Sequence, residues 1–149
     1  MILWRVSNFA DLKGIGGIRQ AGRWHNAGRP IVYLSEHPAL ALLEIRVHLN
    51  ADLEDLPDSF QLLKVDFDES FIPVESLDSG LSREDLHQQS ITQRIGDSWL
   101  NNGQSPLLKV PSIVVPHSYN YLLNPLHPDS GHLSIVDQSK YPFDQRLFK

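Results

Sequence analysis

Ile31-Val-Tyr-Leu-Ser35 runs almost directly into His37-Pro-Ala-Leu-Ala-Leu-Leu-Glu-Ile-Arg-Val-His-Leu49. The first stretch is short, β-branched and aromatic, and reads as a strand. The second reads as a helix with Pro38 in its first turn, where a missing N–H costs nothing. Glu44 is the position that stands out. At roughly 100° per residue it lies beside Leu40, Ala41 and Val47, flanked by Leu43 and Ile45, on a helix that is apolar nearly all round. Such a helix is expected to be buried and its carboxylate mostly desolvated. An unpaired buried charge costs several kcal/mol, so Glu44 needs a cationic or donor partner or must take up a proton. A buried ion pair, a glutamate at the helix edge and a functional carboxylate all meet that demand.

Toward the N-terminus, Ile2-Leu-Trp-Arg-Val6 reads as a strand with Arg5 in its middle, either edge-exposed or aimed at an acidic partner. Between the two strands lie Lys13-Gly-Ile-Gly-Gly17 and Ala21-Gly-Arg-Trp-His-Asn-Ala-Gly-Arg-Pro30. Glycine this dense predicts turns or close approach to a ligand, without regular structure. Arg23 in that loop is either a surface arginine or a guanidinium poised to grip a phosphate or carboxylate in bidentate fashion. Tyr33, on the strand before the Glu44 helix, is either a packed tyrosine or an aromatic face of a site. Two cations, an aromatic ring and a protected carboxylate are the inventory that a nucleotide site requires.

Toward the C-terminus, the turn-rich 52–58 precedes a strand over 60–67 and a short edge-like piece over 71–74. Residues 82–101 carry Ile91, Ile95, Trp99 and Leu100 at helical spacing and predict one or two amphipathic helices, with Gly103 as a stop. Strands are expected over 107–110 and 112–115, broken at Pro111. Residues 119–124 lead into a turn over 124–128, a strand follows over 133–136, and the tail is expected to add another. Ser112, after proline at a strand break, is by itself an ordinary turn residue. There is no repeat, low-complexity tract or linker. The expectation is a single α+β domain over 1–149, a mixed sheet with helices inserted singly.

Composition narrows the function. At 41% hydrophobic and 21% charged residues the chain matches a globular protein with a core. With no cysteine there is neither a disulfide nor a thiol nucleophile, which suits a reducing cytoplasm. The start carries no secretory pattern, and no apolar run approaches a membrane span, so a cytoplasmic protein without membrane attachment is expected. A net charge of −5 argues against a free-standing nucleic-acid binder. The 7 histidines form no close ligand pair, so no metal site is expected. There is no GxSxG elbow, and Gly14-Ile-Gly-Gly17 is neither a Walker loop nor a GxGxxG before a helix.

Taken in order, Leu3-Trp-Arg-Val6, Gly22-Arg-Trp-His25, Gly28, Ile31-Val-Tyr-Leu-Ser35, Ala39-Leu-Ala-Leu-Leu-Glu44 with His48, Ile95-Gly-Asp-Ser-Trp99, Val110-Pro-Ser-Ile-Val-Val-Pro116 and Asn124-Pro-Leu-His-Pro128 resemble the RES domain, a bacterial family named for its arginine, glutamate and serine. One departure is Ala21, where many relatives have a glycine. The resemblance implies a fold similar to the ADP-ribosyltransferase toxins, with NAD⁺ bound in a cleft beside a mixed sheet. It implies a toxin neutralised by a helix-turn-helix antitoxin of the Xre type, with DNA met only through that partner. It implies NAD⁺ consumed as a substrate, with no separate cofactor, by hydrolysis, phosphorolysis or transfer of ADP-ribose to a protein.

Carried over by position, Arg5 and Arg23 would bind the pyrophosphate and adjoining ribose. Tyr33 would shape the nicotinamide pocket, and Ser112 would hydrogen-bond the nicotinamide ribose or amide. Glu44 would act on that ribose, and Asn124 would sit at the rim or brace its loop. Nicotinamide is a cationic leaving group that needs no general acid, so one carboxylate facing an oxocarbenium-like ribose suffices. Glycosidases need a second carboxylate to protonate their leaving oxygen. A catalytically silent corepressor module is the rival from another class, and an intact Glu44 speaks against it.

Overall fold

In a computed structural model of the chain, residues 1–49, 59–77, 80–140 and 143–148 are described; the turn-rich 52–58 lies outside them. The elements are β1 (Ile2–Ser7), α1 (Ile15–Arg19), β2 (Val32–Ser35), α2 (Pro38–His48), β3 (Gln61–Asp66), β4 (Val74–Ser76), α3 (Arg83–His87), α4 (Gln89–Asn102), β5 (Leu107–Pro111), β6 (Tyr119–Leu123) and β7 (Ser134–Lys140). The strands form one 7-stranded sheet in the order β4-β5-β6-β2-β1-β3-β7. Only β4 and β5 pair in parallel, so the sheet is mixed and the domain is α+β, as expected.

Each strand sends alternate side chains to opposite faces. Leu3, Val32, Leu34, Val65, Leu107, Tyr121 and Leu123 form one core, covered by Leu12, Phe67, Ile72 and Leu133 from outside the strands. The other face carries the helices in two groups. Leu108, Val110 and Leu122 pack under Trp24, Leu86, Trp99 and Leu100. Trp4, Val6 and Leu62 pack under Ala41 and Ile45 of α2.

The joint between β1 and β2 is narrow. β1 is paired to β3 from Ile2↔Asp66 to Ser7↔Gln61, and β2 to β6 from Val32↔Leu123 to Ser35↔Asn120. Between β1 and β2 the register has the single pair Trp4↔Ser35. The sheet therefore comes close to dividing there, and the α2 group and the α3–α4 group stand on either side of the seam.

Five local expectations are corrected. The glycine-rich segment does hold regular structure, the one-turn α1. Its ends are closed by Gly28 N–H to Ile18 O and Ile31 N–H to Gly14 O, so tertiary hydrogen bonds override weak propensity. No strand forms over 112–115, because the Ser112 hydroxyl takes the Val114 and Val115 N–H groups that a ladder would need. Residues 119–123 form an interior strand, β6, and the tail closes in a 3₁₀ turn at Gln145–Phe148 where a strand was expected. Finally, α2 is not buried all round. Its His37 Nδ1 caps Ala39 N–H at 3.1 Å and Leu40 and Ala41 are buried, but Leu43 and Val47 face solvent at 40% and 60% exposure.

Candidate active site

Glu44 is half-buried on α2, at the seam. Its Oε1 accepts two hydrogen bonds, from Ser112 Oγ at 2.6 Å and from Asn120 Nδ2 at 2.7 Å. Asn120 Oδ1 in turn accepts from Ser35 Oγ at 2.7 Å. Among the described residues no cation touches the carboxylate, and Oε2 has no protein partner. The demand that the sequence placed on Glu44 is thus met by neutral donors, leaving its charge unneutralised and one oxygen free for a ligand.

Ser112 is buried and fully engaged. Its hydroxyl oxygen accepts from Val114 N–H at 3.1 Å and Val115 N–H at 3.0 Å while its proton goes to Glu44. Arg83, the first residue of α3, clamps the same loop by donating to the carbonyls of Ser112 at 3.1 Å and Ile113 at 3.2 Å. Ser112 was expected to touch the nicotinamide ribose or amide directly. The geometry commits its hydroxyl to the carboxylate.

Arg23 and Tyr33 are brought together by a rigid loop. The Tyr33 hydroxyl accepts from Trp24 N–H at 3.0 Å and lies 2.8 Å from His25 Nδ1, while His25 Nε2 lies 3.0 Å from Gly17 O. A carbonyl can only accept, so Nε2 carries the proton and Tyr33 donates to Nδ1. Burial pushes the Tyr33 phenol well above its usual range, which keeps it a donor. Gly22 is required here, since a Cβ on it would stand 2.5 Å from that phenol oxygen. From the other side α4 pins the loop: Thr92 Oγ1 donates to Arg23 O at 2.5 Å and Gln93 Nε2 to Gly22 O at 3.0 Å. Gly96 lets α4 approach so closely that any Cβ would fall 1.6 Å from Trp24 O. Among the described residues the Arg23 guanidinium makes a single long contact, 3.5 Å to His87 O. His87 ends the short helix whose other end, Arg83, holds Ser112; at 1.5 Å rise per residue those ends are about 6 Å apart.

Arg5 leaves β1 on the side opposite Trp4 and Val6, one residue past the single rung joining β1 to β2. It therefore stands at the parting of the strands, on the side away from α2, and it does not contact Glu44. Its Nη1 is buried and has no hydrogen-bond partner among the described residues. Burial pulls its pKa below the ordinary value, with Asp11 acting through space in the opposite sense but forming no ion pair. A desolvated guanidinium without an acceptor is a standing attraction for an anion. Asn124 is remote from this group. It is buried, its N–H donates to Pro106 O at 2.9 Å and its Oδ1 accepts from Leu126 N–H at 3.1 Å, so it braces the turn after β6.

The match to the RES domain model runs over residues 2–144. The chain is 41% identical to Toxin Res of Pseudomonas putida, across 99% of this chain and 100% of that one. It is 34% identical to the Prs ADP-ribosylating toxin of a Sphingobium species, across 98% and 96%. Its fold is similar to that in the crystal structure of the M. tuberculosis MbcT–MbcA toxin–antitoxin complex, with a TM-score of 0.76 at 17% identity over 99% of this chain and 86% of that one.

The chain belongs to the RES-domain family.

Of the three residue types that name the RES domain, the glutamate and the serine meet directly here. Arg23 comes from the loop that Tyr33 anchors. The family departure, Ala21, is exposed and disturbs none of these contacts. Ser35 and His25 stand in the family segments without a role assigned to them, and Asn120 and Arg83 escaped the sequence reading. The one available signal was Asn120, an amide set between Tyr119 and Tyr121 in an otherwise apolar run.

Proposed function

We propose that this RES-domain chain breaks the bond between nicotinamide and ribose in NAD⁺, as the toxin of a toxin–antitoxin pair. The observation that carries the reading is Glu44, a carboxylate held through Oε1 by two neutral donors with Oε2 free. A cationic partner would quench the negative charge; neutral donors orient it and leave it to face a developing positive charge. Nicotinamide departs with the electron pair of the C1′–N bond, and the positive charge passes to the ribose. Oε2 would accept hydrogen bonds from ribose hydroxyls and stabilise that cation until an oxygen nucleophile bonds to C1′ and gives up its proton. Arg23, nearly unengaged on its rigid loop, supplies charge for the pyrophosphate, and Arg5, whose Nη1 has no partner among the described residues, would do so through the gap where β1 and β2 part.

Transfer of ADP-ribose to a protein is a second reading, favoured by the name of the Sphingobium relative. It breaks the same bond and differs only in the acceptor. Purified protein incubated with NAD⁺, alone, with phosphate and with labelled NAD⁺ in cell lysate, separates the outcomes. Nicotinamide release is expected in at least one arm, and a labelled protein band marks transfer. Release no greater than from heat-killed protein in all arms overturns the enzymatic reading.

The partner we propose is a helix-turn-helix antitoxin of the Xre type. With a net charge of −5 the chain would meet DNA only through it. The site of action is the cytoplasm, where NAD⁺ is abundant; no described helix is long and apolar enough to cross a membrane. The antitoxin would act by covering the cleft, a carboxylate on it engaging Arg5 or Arg23. NAD⁺ affinity measured with and without the partner decides this, since equal affinity contradicts a blocked cleft.

A further inference from the structure

Behind Glu44 lies a row of buried polar side chains to which the sequence assigned no role. Ser35 on β2 and Asn120 on β6 are cross-strand partners in register, next to the Trp4↔Ser35 rung. The Ser35 hydroxyl donates to Asn120 Oδ1, and the contact with Glu44, whose oxygen can only accept, settles which way the amide points. Flipped, the amide would set its oxygen 2.7 Å from Glu44 Oε1, lone pair against lone pair. Asn120 is also fixed at its backbone by ladder partners on both sides, Ser35 and Val110.

We propose that Asn120, oriented by Ser35, is a positioning residue for Glu44: it holds Oε1 so that Oε2 faces the substrate, and it stabilises the carboxylate's charge without cancelling it. This rests on the reading of Glu44 as the working carboxylate. The charged groups on the surrounding elements are engaged elsewhere or stand apart. Arg83 holds the Ser112 and Ile113 carbonyls, Lys109 lies over the Tyr119 ring, and Glu36 accepts from Tyr119 N–H. On its own helix, Arg46 donates to Leu147 O, and His48 at the exposed C-terminal end makes no ion pair with Glu44 among the described residues. Arg5 leaves the sheet on the opposite side. Among the described residues, Asn120 and Ser112 are therefore the groups through which the protein acts on this carboxylate.

The test is Asn120→Asp, which keeps the shape and still accepts from Ser35 but sets a second carboxyl against Oε1. Two carboxyl groups at that distance must share a proton. The Glu44 carboxyl, followed by ¹³C NMR, should then titrate about one unit or more higher in pH than in the parent. The acid limb of NAD⁺ turnover should move with it while KM stays near the parental value. Ser35→Ala removes the hydroxyl that anchors Asn120 Oδ1 and loosens the amide's hold on Glu44; kcat should fall by roughly 10- to 100-fold, with KM little changed. It also serves if Asn120→Asp does not fold.

Parental kcat in Ser35→Ala overturns the proposal even if the variant melts earlier, because a packing role alone would lower stability and leave turnover in place; a parental Glu44 titration in Asn120→Asp overturns the contact on which the proposal rests. The titration needs no turnover. A parent that leaves NAD⁺ intact while Asn120→Asp still shifts the Glu44 titration would sink the NAD⁺ reading and keep Asn120's hold on the carboxylate.

Discussion

Ser112 Oγ stands 2.6 Å from Glu44 Oε1 although 68 positions separate the two residues in the chain. The contact turns a serine that looked available to a ligand into part of the carboxylate's mounting. It also divides the site into groups that touch substrate and groups that hold those groups still. The two kinds fail differently when altered.

Glu44→Gln keeps the shape and removes the charge. Turnover of NAD⁺ should drop by about 10²–10³, as expected for loss of a preorganised electrostatic contact, with KM close to parental. Were Glu44 merely structural, the variant would melt earlier and keep its specific activity. Thermal melts beside steady-state kinetics tell the two apart, and a folded variant with the parental rate removes the catalytic assignment.

Arg5→Met replaces an unpaired buried guanidinium with an apolar chain of similar length. The ligand-free protein should melt at the same temperature or higher, since a buried charge without an acceptor is a stability cost. KM for NAD⁺ should rise by about 10- to 100-fold, the value of a lost charge-assisted hydrogen bond. NAD⁺ should raise the melting temperature of the parent much more than that of the variant. A lower melting point with parental affinity would mean that Arg5 serves the fold alone.

Tyr33→Phe strips the hydroxyl that serves Trp24 N–H and His25 Nδ1 together. Leaving these buried groups unpaired should cost about 1–3 kcal/mol, read from denaturant unfolding. Looser anchoring of the Arg23 loop should raise KM more than it lowers kcat. The pH dependence has a definite sign. The phenol is raised in the folded protein, so above pH ~10 the unfolded chain sheds a proton that the native state keeps. Tyr33 therefore makes stability fall as pH climbs past that value, and the phenylalanine variant should show a shallower decline. Parallel slopes for the two proteins would contradict a buried, proton-holding Tyr33.

Gly96→Ala places a Cβ where Trp24 O already stands, at 1.6 Å. Backbone cannot yield as a flexible side chain would, so α4 or the Arg23 loop must move. The expected loss is at least the roughly 1–3 kcal/mol typical of overpacking. It should be accompanied by weaker NAD⁺ binding, because the displaced loop carries Arg23. Chemical unfolding and NAD⁺ titration calorimetry check both halves; a variant of parental stability would show that the two backbones are not in contact in solution.

By itself the sequence determined what neighbours along the chain can encode. The β2–α2 unit, Pro38 at the helix start, the 82–101 helical stretch and the ordered family segments all follow from periodicity and local backbone chemistry. That was enough for an α+β domain, a RES resemblance and a shortlist of Glu44, Arg5, Arg23, Tyr33, Ser112 and Asn124. It misjudged what depends on partners far away in the chain. The helix α2 looked buried because its composition is apolar, yet whether an apolar residue is covered depends on which elements reach it, and no described element covers Val47, which is 60% exposed.

Only the tertiary structure decided how the site works. Asn120 reaches Glu44 across 76 residues and Ser35 reaches Asn120 across 85, and both contacts exist because the β2–β6 register sets those two side chains opposite each other on one face. A slip of one residue would send both to the other face. The same register leaves β1 and β2 joined at Trp4↔Ser35, and the one-residue alternation beyond that rung directs Arg5 away from Glu44. Strand pairing is a choice among distant segments, settled by which arrangement buries the most apolar surface with its polar groups satisfied. No window of local sequence contains that comparison.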